Sequence, residues 1–240
     1  MAEQTFELWA YLSTTPLLWL TVTLVVWVGA DRLADLSGRH PLANPVLVSI
    51  LVVAVVLALT KTPYAVYFEG AQFVHFLLGP ATVALAVPLY RSRARVLRSL
   101  LPIGVALVAG ALTAISSAVG VGIAFGLPHD VLIALAPKSA TAPVAMGIAQ
   151  RLGGDPALTA VLVILTGILG AIVVTPLMNL LRIRDYAARG FAVGLTSHGI
   201  GTARAFSVDT TAGTFAGIAM AMNAVATALL VPLVVRAFGI

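Results

Sequence analysis

Cysteine is missing from this chain, and charge is nearly so: 14 Lys and Arg and 9 Asp and Glu make up only 10% of 240 residues. The first absence excludes disulfides and thiolate chemistry. The second excludes a soluble domain, which carries roughly 25% charged residues. No low-complexity stretch and no polar linker divides the sequence, so residues 1–240 read as a single integral membrane domain. What is present is apolar, with 60% hydrophobic residues and a mean hydropathy of +1.05.

Five uncharged runs reach the roughly 20 residues needed to span a hydrocarbon core: Leu8–Ala30, Pro41–Thr60, Ser99–Pro128, Pro156–Leu181 and Thr210–Val235. Glu3 and Glu7 stand where a cleaved signal would carry a basic region, so the first span is expected to be retained. Positive charge gathers at Arg91, Arg93, Arg95 and Arg98 and again at Arg182, Arg184 and Arg189. Both clusters are placed on the cytoplasmic side. An even number of crossings must then separate them, whereas three apolar segments lie between, 99–128, 131–150 and 156–181. The middle segment is therefore expected to be re-entrant. A second reading puts one cluster outside and makes 131–150 an ordinary broken span.

Three constellations carry chemistry. In APKSATAPVAMGIA, residues 136–149, Lys138, Ser139 and Thr141 lie about 10–15 Å into their segment. An ammonium at that depth is expensive and usually functional. Pro137 and Pro143 disfavour helix just before themselves and leave backbone groups for a cavity. An ammonium, two hydroxyls and the amides of a half-helix N-terminus suit a small carboxylate. The plainer reading is that Lys138 snorkels to a surface or bridges to Asp130 or Asp155.

The second constellation is TSHGIGTAR, residues 196–204, preceded by GFAVGL. Glycines at 190, 194, 199 and 201 make a poor continuous helix and a good close-packed, partly unwound hairpin, with Gly199 and Gly201 as hinges. His198 donates, accepts or changes charge near neutrality, Arg204 grips a carboxylate bidentately, and Thr202 stands between them. The alternative makes His198 structural and Arg204 a cytoplasmic anchor.

The third runs from Glu69 to Tyr90. Thr82 and the break at Pro80 are expected to line a site, whereas Glu69 and His75 belong at the membrane interface. Residues 78–88 echo 137–147 when Ala81-Thr82 is laid on Ala140-Thr141. Paired Gly/Pro-interrupted segments of this kind mark secondary transporters built from repeats.

These blocks give the chain its resemblance. LLGPATVALAVPLY at 77–90, PKSATAP at 137–143, the Arg182-Ile183-Arg184 turn and SHGIGTARA at 197–205 resemble the LrgB/CidB family, also called the YohK type, over essentially the whole length. The resemblance implies a multi-pass protein of the bacterial inner membrane. It also implies two functions. One is an antiholin-like regulator of murein hydrolase export and cell lysis, acting with a smaller LrgA/CidA-type membrane subunit. The other is transport of small monocarboxylates such as pyruvate, glycolate or 3-hydroxypropionate.

A regulator of helix association needs no buried lysine, paired prolines or His/Arg hairpin, and those features cost stability unless a polar ligand repays them. The expectation is therefore an all-α polytopic membrane protein, a multi-span bundle with broken or re-entrant helices and inverted repeats. It would act as a secondary transporter of small 2-oxo or hydroxy acids with Lys138, Ser139, Thr141, His198, Arg204, Thr82 and Thr202 around the substrate. Proton coupling through His198 or sodium coupling through unwound carbonyls would drive it. No cofactor, metal centre or nucleic-acid partner is expected; a homodimer and an LrgA/CidA-like partner are. An intramembrane hydrolase using Ser139 or Ser197 with His198 lacks nucleophile-elbow spacing and an acid to orient the histidine.

Overall fold

The computed structural model describes residues 15–40, 43–77, 80, 83, 90 and 93–240. They form two compact units whose boundary falls between residues 86 and 87.

The first unit contains α1 (Pro16–Leu36), α2 (Pro45–Thr60) and α3 (Tyr64–Phe76). Pro16 and Pro45 open their helices where a missing amide costs nothing, and the Asn44 side chain accepts from the Val46 and Leu47 amides. Gly70 lets α3 lie against α1, since a Cβ there would strike the Pro16 carbonyl and Trp19. Trp19 is fully buried, its ring edge-on to Tyr67 at 6.0 Å. The expected spans need correction here. α1 runs on past Ala30 through Asp31, Arg32 and Asp35, charges that sit near its end where Arg39 bridges both carboxylates. α2 has 16 residues, about 24 Å of helix against a core of about 30 Å. Among the described residues four helices are long and apolar enough to cross a membrane: α1 and three in the second unit. Pro80 is helical and exposed, and Thr82 lies outside the described residues.

The second unit runs through α4 (Arg93–Arg98), α5 (Leu100–Ala124), α6 (His129–Leu135), α7 (Ala142–Leu152), α8 (Pro156–Leu180), α9 (Tyr186–Val208) and α10 (Thr210–Ala237). Asp155, Asp185 and Asp209 each cap the helix that follows, accepting from the amides of Ala157, Ala188, and Thr211 with Ala212.

Two segments turn back on themselves. A Cβ on Gly154, just past α7, would lie 2.7 Å from Ile133 Cγ2 and 3.0 Å from the Ala134 nitrogen in α6. A continuous helix would hold those positions about 30 Å apart. Residues 129–152 are thus a helical hairpin around 136–141, the form a re-entrant segment requires. In α9 the chain leaves helical geometry at Ser197 (φ −126°, ψ 17°) and His198 (φ 42°, ψ −132°). Val193 and Ala205 share one apolar cluster, and Tyr186 and Arg189 line one small cavity with Arg204 and Val208. Unbroken, α9 would separate Tyr186 from Val208 by about 33 Å. It too is a hairpin, and the glycine spacing had pointed to one.

Each hairpin is followed by one long helix, so residues 129–180 and 186–237 repeat one plan. A hairpin returns to its starting side, and α8 between the two is long and apolar enough to cross a membrane once. The second repeat therefore begins on the opposite face, and the repeats are inverted.

Candidate functional site

The first tip is built by turns. The Lys138 amide donates to Leu135 O at 3.1 Å and the Ala140 amide to Pro137 O at 2.9 Å. Pro137 is fully buried and ends α6. Pro143 has a different part from the one its sequence position suggests: it is exposed in the first turn of α7, where it opens the helix instead of breaking it. Thr141 is the N-cap residue, yet its side chain makes no capping bond. The first-turn amides of Ala142 and Val144 thus have no helical acceptor and give this end a partial positive charge. Lys138 is half-buried, and its Nζ donates to Ser139 Oγ at 3.3 Å. Among the described residues it has no ion pair. Asp155, a candidate partner, caps α8 instead.

The second tip is held by its neighbours. His198 is buried, and its Nε2 lies 2.9 Å from Val163 O in α8. A carbonyl only accepts, so Nε2 carries the proton and donates. Thr202 Oγ1 donates to His198 O at 2.7 Å, closing the broken turn. Gly167 of α8 makes room for the imidazole, for a Cβ there would lie 2.6 Å from His198 Cε1, and Gly170 does the same for Ser197. Gly201 is required by closeness, its Cβ position being 2.8 Å from both Val193 Cγ2 and Val193 O. Positive φ in a histidine costs of order 1–3 kcal/mol, and these contacts over-determine it.

The tips meet at two joints. Val163 packs with Ala140 and Ala145 of the first hairpin while its carbonyl takes the His198 proton. Asn223, near the midpoint of α10, donates through Nδ2 to Ser139 O at 3.1 Å and to Leu195 O at 2.9 Å. One side-chain amide thus ties both tips.

The tip that carries Lys138, Ser139 and Thr141 is therefore joined to the break at His198 through Val163 and Asn223. Arg204 is not part of this junction: it lies six residues down the second arm and lines a small cavity with Arg189, Tyr186 and Val174 at the base of the hairpin. Thr202 is buried and spent on the His198 carbonyl, and Gly199 is exposed with Met220 Sδ 3.9 Å from its Cβ position. The residue that sequence reasoning missed is Asn223. Its signal was available, since it is the one carboxamide in the otherwise uncharged run 210–235.

The sequence model of the LrgB-like family matches residues 23–237. The uncharacterized protein YxaC of Bacillus subtilis is 36% identical over 200 residues, 83% of this chain and 87% of the relative. The holin-like protein CidB of Staphylococcus aureus is 31% identical over 222 residues, and that of Staphylococcus epidermidis 29% over 221; in both cases 92% of this chain and 96% of the relative are covered. No solved structure matches the chain.

Proposed function

The chain belongs to the LrgB-like family, and from that premise we propose that it is a secondary transporter of small monocarboxylates in the bacterial inner membrane. The observation that carries the reading is Lys138. Among the described residues it is an ammonium without an ion pair, beside Ser139 and the open N-terminus of α7, at a point where two oppositely directed hairpin tips converge. Such a point suits a small anion and alternating access, because each tip belongs to a different repeat. The ammonium neutralises the carboxylate, while the Ser139 and Thr141 hydroxyls and the α7 amides bond its oxygens. His198 sets the second tip and supplies a route for proton coupling; sodium coupling is the other arm of the same test. An LrgA/CidA-type subunit and a second copy of this chain are the proposed partners.

The second reading is an antiholin-like regulator of murein hydrolase export and cell lysis with no transport cycle; two of the relatives are named holin-like proteins. That reading leaves the lysine without a counter-ion among the described residues. Uptake of radiolabelled pyruvate or glycolate into proteoliposomes, with and without the partner and under proton or sodium gradients, separates the two. Background-level uptake in every arm favours the regulator.

A further inference from the structure

Away from the hairpin tips, a groove of about 670 Å³ runs between α5 and the first arm of α9, lined by Pro102, Ala106 and Ala109, by Phe191 and Ala192, and by Phe215 of α10. The two hydroxyls farthest from its mouth are already bonded, Thr113 to Ala109 O at 2.7 Å and Thr196 to Ala192 O at 2.9 Å. The groove therefore offers carbon along its length. Its walls run in the same direction: Ile103 packs with Phe191 and Ala187, and seven residues further along α5 a Cβ on Gly110 would lie 2.9 Å from Leu195 Cδ1. The starts of both helices consequently stand together at one mouth, where Ser99 and Ala187 line the groove. Arg98 directly precedes Ser99, and Arg184 comes three residues before Ala187. Both arginines are exposed, and among the described residues neither has an ion pair. Arg189 is otherwise engaged, its guanidinium bonded to Ile183 O and Asn179 Oδ1. The carboxylates of Asp185 and Asp209 cap α9 and α10. The Ser99 side chain makes no capping bond, so the first-turn amides of α5 add partial positive charge at the same end.

We propose that this groove holds an acyl chain of a net-anionic phospholipid of the cytoplasmic leaflet, with its headgroup on Arg98 and Arg184. The inference stands apart from the transport reading, since it uses neither hairpin tip. From Ser99 to Ala114 the groove follows about 22 Å of helix, and one leaflet contributes about 15 Å of the hydrocarbon core. A chain entering at the mouth is thus accommodated over its whole length. Charge decides between a lipid and a partner helix. A helix would fill the same apolar walls but would need an acid placed at the one level where the arginines stand. Anionic headgroups lie at that level already, and basic sites between helices on the cytoplasmic side attract them. A zwitterionic lipid brings its own ammonium to the same place, where two guanidiniums oppose it. The far end of the groove reaches Thr196, beside the break at Ser197, so the chain packs along the arm that carries the second tip.

The test is native mass spectrometry of the delipidated full-length protein titrated with dioleoyl-phosphatidylglycerol or dioleoyl-phosphatidylethanolamine, which share their acyl chains and differ in net charge. The first lipid bound should favour phosphatidylglycerol by about tenfold or more, and Arg98→Gln with Arg184→Gln should bring that ratio near one. Ala106 and Ala109 are exposed, so Ala106→Trp with Ala109→Trp fills the groove without entering the core and should weaken both lipids. The native protein alone already tests the order, so a variant that fails to fold does not remove the test. Equal binding of the two lipids, or a preference that survives the loss of both arginines, overturns the proposal. Phosphatidylglycerol binding untouched by the tryptophans also overturns it, because the headgroup is then held by surface charge without the groove. A disulfide between two copies carrying Ala109→Cys, formed in native membranes, gives the groove to a second copy and overturns it as well.

Discussion

The two hairpins solve one geometric problem by different means. The first is broken over six residues, 136–141, and its tip carries a cation, two hydroxyls and free first-turn amides. Its second arm is loosely clad: Pro143, Gly147 and Gln150 are exposed, beside a groove of about 330 Å³ shared with Ala228 and Pro232. The second is broken over two residues and packs closely against α8 and α10, although Thr196 and Gly199 beside the break are exposed. Gly190 and Gly194 lie so near α10 that a Cβ would strike the backbone of Ala212 or Ala216, and Gly167 and Gly170 receive the tip from α8. A donor-rich tip on a loosely clad arm, facing a closely packed tip, assigns the ligand chemistry to the first and the frame to the second.

The sharpest way to break this comparison is sidedness. Inverted hairpins start from opposite faces, and the chain has no native cysteine. Ala94→Cys and Ala188→Cys should react with an impermeant maleimide only from the cytoplasm, and His129→Cys and Gly153→Cys only from outside. Opposite sidedness of positions 129 and 153 would restore a full span and destroy the symmetry.

Next in size is the charge at the first tip. Lys138→Met keeps the length and removes the ammonium, so carboxylate affinity should fall by about 2–5 kcal/mol, enough to abolish detectable transport while the protein still folds. Lys138→Arg should also fail or weaken badly, since a planar fork does not replace a compact point charge. Uptake at the native rate by Lys138→Met would remove the ligand from this tip.

Much of this was legible in the sequence because membrane physics leaves few choices. A lysine between prolines and a helix carrying four glycines are both expensive, and both mark hairpin tips. The re-entrant form of 131–150 followed from counting crossings between Arg182–Arg189 and the earlier arginines. Less legible was the direction of each side chain. Arg204 sits six residues from His198 in sequence, and only the sense of the second arm shows that this distance leads away from the tip. Pro143 read as a breaker because a one-dimensional pattern does not distinguish the residue that ends one helix from the one that opens the next. Asn223 was hidden by its setting, since a single amide in a long apolar run looks like a tolerated exception until its two carbonyl partners are seen.

The packing side of the comparison predicts opposite signs for two similar changes. Gly194→Val puts side-chain atoms into the Ala216 carbonyl, and backbone cannot step aside as a flexible side chain does. It should cost about 3 kcal/mol, seen as a lower unfolding midpoint in detergent. Gly147 in the first hairpin has nothing within 4 Å of its Cβ position. Gly147→Ala should therefore be neutral or stabilise by up to about 1 kcal/mol through helix propensity. Equal destabilisation by both would mean that the hairpins are equally clamped.

The smallest effect is the most informative about mechanism. His198 reaches the first tip through Val163, which packs with Ala140 and Ala145, so His198→Ala should weaken carboxylate binding by about 1 kcal/mol, less than Lys138→Met. The two losses should not add. With the ammonium gone the ligand no longer feels the tip geometry that the histidine maintains, so the double variant should lose less than the sum, by about 0.5 kcal/mol or more. Protonation of the ring adds a positive charge beside an anion. Affinity should therefore rise as pH falls, and His198→Ala should flatten that slope. Strict additivity with an unchanged pH profile would confine His198 to the frame and leave the ligand to the lysine tip alone.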